Sequence, residues 1–169
     1  MTANPDRTLE PTLNPTLKPT LNPALDHTDW AILDELQRDG RIAFTELARR
    51  VNLSASATTE RVRRLEGAGV ITGYRAEVNL ERTGYLALAV VRLKYPGTRH
   101  EPLRRLIAQR PEILECLRTT GDDCYVLKVA ATSMAQLEEL VDSLAQFGST
   151  TTNLVLSQMQ PFRGPRVPR

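Results

Sequence analysis

Between Ser54 and Arg64 the chain reads SASATTERVRR, a stretch dense in hydroxyl and guanidinium groups. At about 100° per residue, a helix here turns Ser56, Thr59, Glu60, Arg63 and Arg64 to one side, with Arg61 on the flank. Thr58, Val62 and Leu65 fall on the other side and would pack on neighbouring helices. Hydroxyls and guanidinium groups suit base edges and phosphates, and a bidentate arginine–guanine contact is the commonest specific one. The candidate DNA-binding residues are Ser54, Ser56, Thr58, Thr59, Arg61, Arg63 and Arg64, joined further on by Arg75. The competing reading is a solvated amphipathic helix in some other helical domain, and a lone helix would favour it.

Other chemistry is poorly represented. Cys116 and Cys124 lack metal-ligand spacing, and with His27 and His100 as the available histidines no zinc site can be assembled. Both cysteines are expected to be small strand residues in a reducing compartment. No nucleophile–base pair, metal cluster or glycine-rich phosphate loop is present, so neither an enzyme nor a cofactor is expected.

The elements before the arginine-rich helix decide between the two readings. Asp26 can cap a first helix, with Asp29 three residues on near its positive end. Trp30, Ile32, Leu33 and Leu36 give that helix an apolar stripe, and Gly40 is a natural stop. Phe44, Leu47, Ala48 and Val51 lie on one face of a second helix. Asn52 and Leu53 make a turn, and Ser54 caps the third. Three amphipathic helices in tandem with a short turn are the layout of a helix-turn-helix, which outweighs the solvated-helix reading. The following GAGVITGYRAEVN suits a small wing or connecting strand, with Arg75 near a phosphate. Acidic residues offset the arginines over 26–79, so DNA affinity per subunit is expected to be modest and to need paired half-sites.

A second pattern runs from 84 to 160. Tyr85–Tyr95 is a β-type run, followed by a short helix around Pro102, Leu103, Leu106 and Ile107. Ile113–Thr120 and Cys124–Ala131 form two strands joined by Gly121, Asp122 and Asp123. Ser133 with Gln136 opens another helix as a capping box, and Thr150–Met159 is the last strand. The order βαββαβ is that of a ferredoxin-like sandwich. Leu86, Leu88 and Val90 alternate with Ala87, Ala89 and Val91, so the strand is apolar on both faces. One face packs on the helices, and the other is expected to meet a second subunit. The fold class is therefore α+β: a winged helix-turn-helix over 26–79, then a ferredoxin-like domain over 84–160 for regulation and dimerisation.

Residues 1–25 differ in kind. TLEP, TLNP, TLKP and TLNP follow one another, with ALDH as a decayed fifth copy. Proline at every fourth position forbids a continuous helix, so a disordered arm without defined function is expected. No basic start precedes an apolar run, so no signal peptide is expected. The 161–169 tail is basic through Arg163, Arg166 and Arg169, and is expected to be disordered or to add a non-specific DNA contact. Tyr85–Val91 is the longest apolar run and too short for a bilayer, so the protein is expected in the cytoplasm with no membrane partner.

Both halves together resemble the Lrp/AsnC (leucine-responsive, feast/famine) family of transcription regulators. The matching pieces are LDHTDWAILDELQRDGRIAFTELARRVNLS, ERVRRLEGAGVITGYRAEVN and TTGDDCYVLKV, spanning about residues 25–160. The resemblance implies double-stranded DNA as a partner, self-assembly into homodimers and often octameric discs, and a small effector, commonly an amino acid. It places that effector around Gly121, Asp122, Asp123, Cys124 and Tyr125. Many members carry an aspartate where this chain has Cys124, and a neutral thiol holds an ammonium group less well. Asp122 and Asp123 can stand in as ammonium partners or serve only as polar turn residues. A weakly specific DNA-compacting protein without an amino-acid effector uses the same architecture and is the alternative.

Overall fold

The computed structural model describes residues 25–166, so the proline-repeat arm of 1–25, except for Leu25, lies outside the described residues, as does Arg169 of the tail. Of the described residues, those up to Arg75 together with 164–166 form one compact unit, and Ala76–Arg163 forms another.

The first unit begins with α1, His27–Arg38. Asp26 caps it, accepting from the Asp29 backbone N–H at 2.7 Å, while the Asp29 carboxylate accepts from the Asp26 backbone N–H at 3.2 Å. That reciprocal pair satisfies two donors that a helix start leaves unpaired. The helix ends with Asp39 as its cap and Gly40 just beyond it, and the Asp39 carboxylate accepts from the Arg41 N–H at 2.9 Å. Next come α2, Phe44–Arg50, and α3, Ala55–Gly67. Asn52 takes φ 55° between them, a conformation asparagine tolerates better than most residues. The Ser54 hydroxyl accepts from the Ala57 N–H and starts α3. Ile32, Leu47, Val62 and Leu65 form the core, with Leu33, Leu36, Val51, Val70 and Ile71 packed around it. Trp30, expected in the apolar stripe, is only half-buried and stands outside this core.

The second unit is a four-stranded antiparallel sheet with two helices on one face. After a short 3-10 turn at Glu81–Thr83 come β1 (Ala87–Lys94), α4 (Glu101–Gln109), β2 (Ile113–Arg118), β3 (Tyr125–Ala131), α5 (Met134–Ala145) and β4 (Ser149–Leu154). The strand order is β2-β3-β1-β4, the split arrangement expected of βαββαβ. Ala89, Val91 and Leu93 of β1 and Leu127, Val129 and Ala131 of β3 point inward against Leu103, Leu137, Leu140 and Leu144. Ser133 caps α5 as expected, accepting from the Gln136 N–H. The return half of the capping box lands one residue earlier, because Gln136 Oε1 accepts from the Thr132 N–H at 2.7 Å. Gly148 sits where a Cβ would lie 2.1 Å from the Lys94 carbonyl oxygen, so glycine lets the chain after α5 pass close over β1.

Candidate nucleic-acid interface and effector loop

The exposed side of α3 forms a shallow concavity lined by Ala55, Ser56, Thr59, Glu60 and Arg63. Ser54 stands at its start with its hydroxyl 3.1 Å from that of Ser56. Arg63 is exposed and makes no ion pair among the described residues. Thr59 donates back to the Ala55 carbonyl at 2.8 Å, which leaves its hydroxyl oxygen able to accept. Hydroxyls and one uncommitted guanidinium on the exposed side of a capped helix can donate to and accept from base edges.

The other candidates on α3 are placed differently. Thr58 is fully buried and its hydroxyl donates to the Ser54 carbonyl, so the expectation that it touches DNA is corrected: it packs and back-bonds within the helix. Arg61 and Arg64 turn toward the start of α1. Arg61 Nη1 donates to Asp26 at 2.7 Å and to Asp29 at 2.9 Å, and Arg64 Nη2 donates to both Asp29 oxygens at 2.7 Å. The Arg61 guanidinium holds the Asp26 carboxyl below the usual aspartate range, helped by the Asp29 backbone N–H. Spacing along α3 could not reveal these bonds, because the partners lie 32 to 35 residues away in the chain.

The wing also differs from expectation. Among the described residues no strand follows α3 before the 3-10 turn. The Val70 and Ile71 N–H groups both bond to the Leu65 carbonyl, closing α3 instead of entering a ladder. Tyr74 donates its hydroxyl to Glu66 at 2.9 Å, and its pKa is pushed up to about 12 by burial first and by that bond second. Arg75 lies exposed on this extended segment.

In the second unit the β2–β3 hairpin turns at Gly121, whose φ of 98° lies in the left-handed region. Asp122 is exposed and pairs with Lys94 at 3.3 Å, and Asp123 pairs with Arg92 at 3.4 Å. Both acids therefore already face a β1 cation. The Cys124 thiol lies 3.6 Å from the Tyr95 carbonyl oxygen. Tyr125, which the family resemblance places at the effector loop, is a core residue in this chain because β3 turns its side chain inward. Its hydroxyl is hydrogen-bonded to His100 Nδ1 at 2.8 Å, and burial raises its pKa. Tyr95 and Phe147 extend this ring cluster, which sequence reasoning missed because its members come from four separate segments.

The sheet face away from the helices presents Leu88, Val90, Leu117, Val126 and Val155 around the Glu115 and Lys128 side chains. Leu86 beside them is 82 % exposed. No described helix is long and apolar enough to cross a membrane, and no group of three acidic, histidine or cysteine side chains that could hold a metal occurs among the described residues.

Residues 25–66 match the family model of the AsnC-type helix-turn-helix domain, and residues 88–165 match that of the Lrp/AsnC ligand binding domain. The chain is 32% identical over 140 residues to the HTH-type transcriptional regulator LrpC of Bacillus subtilis, covering 83% of this chain and 97% of LrpC. The HTH-type transcriptional regulator LrpA of Mycobacterium tuberculosis is 38% identical over 132 residues, covering 77% of this chain and 85% of LrpA. The solved structure of B. subtilis LrpC superposes with a TM-score of 0.77 over 80% of this chain and 97% of that one. A feast or famine regulatory protein from M. tuberculosis, complexed with L-methionine, gives 0.78 at 33% identity over 84% and 99%.

Proposed function

The chain belongs to the Lrp/AsnC family of transcription regulators, and from that premise we propose that α3 reads double-stranded DNA through Ser54, Ser56, Thr59 and Arg63, with Arg75 steadying the duplex at a phosphate. The single observation that carries this reading is the exposed side of α3, where Ser56, Thr59, Glu60 and an unpaired Arg63 line one shallow surface with Ser54 at its start. In this reading residues 26–79 bind DNA, while 84–160 hold two or more copies together and take a small effector. The apolar outer face of the sheet supports self-assembly, and the relative solved with L-methionine supports an effector of the amino-acid class. Gly121, Asp122, Asp123 and Cys124 are the loop residues offered to it, where its ammonium would share the carboxylates with Lys94 and Arg92. A regulator of this kind works in the cytoplasm beside the DNA and catalyses no reaction of its own. The 1–25 arm has no part in the mechanism, and the 161–169 tail adds at most a non-specific phosphate contact.

Selection of duplexes from a random library, followed by affinity measurement on the enriched site and on random DNA at matched salt, tests the proposal. Arg63→Ala should cost roughly 1–3 kcal/mol on the enriched site and much less on random DNA. Equal binding by the wild type and a Ser56, Thr59 and Arg63 triple alanine variant would remove α3 from recognition. Failure to enrich any sequence would favour a DNA-compacting role instead.

A further inference from the structure

Asp29 is 1 % exposed on α1, and a buried carboxylate is tolerated only when it is paired and hydrogen-bonded. Both its oxygens are occupied by α3 arginines, and the adjacent Asp26 takes the same Arg61 nitrogen at 2.7 Å. The two acids thus do two things at once: they cap α1 through each other's backbone N–H, and they tie its first turn to the middle of α3. Two carboxylates against two guanidinium groups leave no net charge there for a phosphate. Pulling either arginine away would leave Asp29 with half its cationic partners, and losing both would strand it charged and buried, which is far more costly than breaking a surface pair. Arg63, between the two tied arginines in sequence, faces the open side without a carboxylate partner among the described residues.

We propose that Asp26 and Asp29 are positioning residues that set DNA specificity. By holding Arg61 and Arg64 on α1 they fix the orientation of α3 and withhold two cations from the phosphates. Affinity then depends on the base-reading face rather than on charge. The idea rests on the assignment of α3 as the reading helix. Its consequence is that removing their charge weakens discrimination while strengthening indiscriminate binding.

The test uses the full-length protein as Asp26→Asn and Asp29→Asn. Both replacements keep the side-chain shape, and asparagine remains a good helix cap at position 26. Affinity is measured for the library-enriched duplex and for a random duplex across a salt series, with circular dichroism checking the fold. Each arginine released to a phosphate should steepen the slope of log affinity against log salt on random DNA by about 0.9. The enriched-to-random affinity ratio should fall by about tenfold for Asp29→Asn and less for Asp26→Asn, whose loss frees only part of Arg61. Adding Arg64→Gln to Asp29→Asn should bring the slope back toward the wild type, which a merely structural role would not do. Unchanged slope and ratio in both variants would overturn the proposal. So would a shallower slope, because Arg61 and Arg64 would then already be on phosphates in the wild type. Should Asp29→Asn unfold, Asp26→Asn decides by the same readouts. A wild type that enriches no duplex overturns the α3 assignment and this proposal with it, and is told apart because no variant is needed to see it.

Discussion

The thiol of Cys116 is half-buried in the second unit. Cys116 lies on the inward side of β2 opposite Leu127, and burial pushes its pKa from 9.0 up to about 11. The thiolate is the attacking form, and a thiol held that high carries roughly a hundredfold less of it at pH 8 than an ordinary one. Alkylation by iodoacetamide at that pH should therefore be at least about tenfold slower at Cys116 in native protein than in urea, followed by peptide mass analysis. Equal rates would place that thiol at the surface. The arginines of α3 show which residue roles the sequence could carry. The Ser54 cap was legible because its acceptor and donor lie three residues apart. The buried place of Thr58 followed from periodicity. The commitments of Arg61 and Arg64 were not legible, since helical spacing states which way a side chain points but not which distant carboxylate waits there. The same limit hid the pairing of Asp122 with Lys94 and of Asp123 with Arg92.

At the scale of elements, α2 is held by its short apolar face through Leu47 and Ala48, with exposed ion pairs added at its surface. Glu46 accepts from Arg49 and Arg50, and Arg50 reaches across to Glu35 on α1 at 2.8 Å. The Arg49 bond, followed by the Arg50 bond, lowers Glu46 from 4.5 to about 2, and Arg50 lowers Glu35 as its largest cause. A carboxylate whose folded pKa is depressed contributes stability above its unfolded value and loses it as pH falls through the folded one. The helix-turn-helix unit should therefore lose melting temperature progressively as pH drops from about 4.5 toward about 2, and these exposed pairs should matter less in high salt. A melting temperature flat across that window would remove the pairs from the stability of α2. In the second unit Gly148→Ala should cost about 1–3 kcal/mol in urea unfolding, because its Cβ would overlap the Lys94 carbonyl. The five helices and four strands were legible from periodicity, although β4 ends at Leu154, five residues before the expected Met159. The wing was not, because the chain alternates as a strand would while its first N–H groups are already used to close α3.

At the scale of the whole molecule, the sheet poses a question that one copy of the chain does not answer. A four-stranded sheet with helices on one face usually gives its other face polar residues, whereas here Leu88, Val90, Leu117, Val126 and Val155 line it. Cross-strand neighbours concentrate the effect, since Leu117 stands opposite Val126 and Leu88 opposite Ala130, while Val90 meets the charged Lys128. A patch of this kind on a monomer would favour association, and a two-fold pairing buries it against itself. The reading surface of one α3 is small and its charge largely cancelled, so two copies on paired half-sites multiply a modest affinity through effective concentration. Leu88→Asp puts a carboxylate in the middle of that face, where an assembled pair would have to desolvate it. Sedimentation should then show a smaller species or aggregates. The enriched duplex should be bound at least about tenfold more weakly, even though no residue of α3 has changed. Full assembly together with undiminished DNA affinity in this variant would mean that the outer face is not what joins the copies, which would then have to meet through another surface.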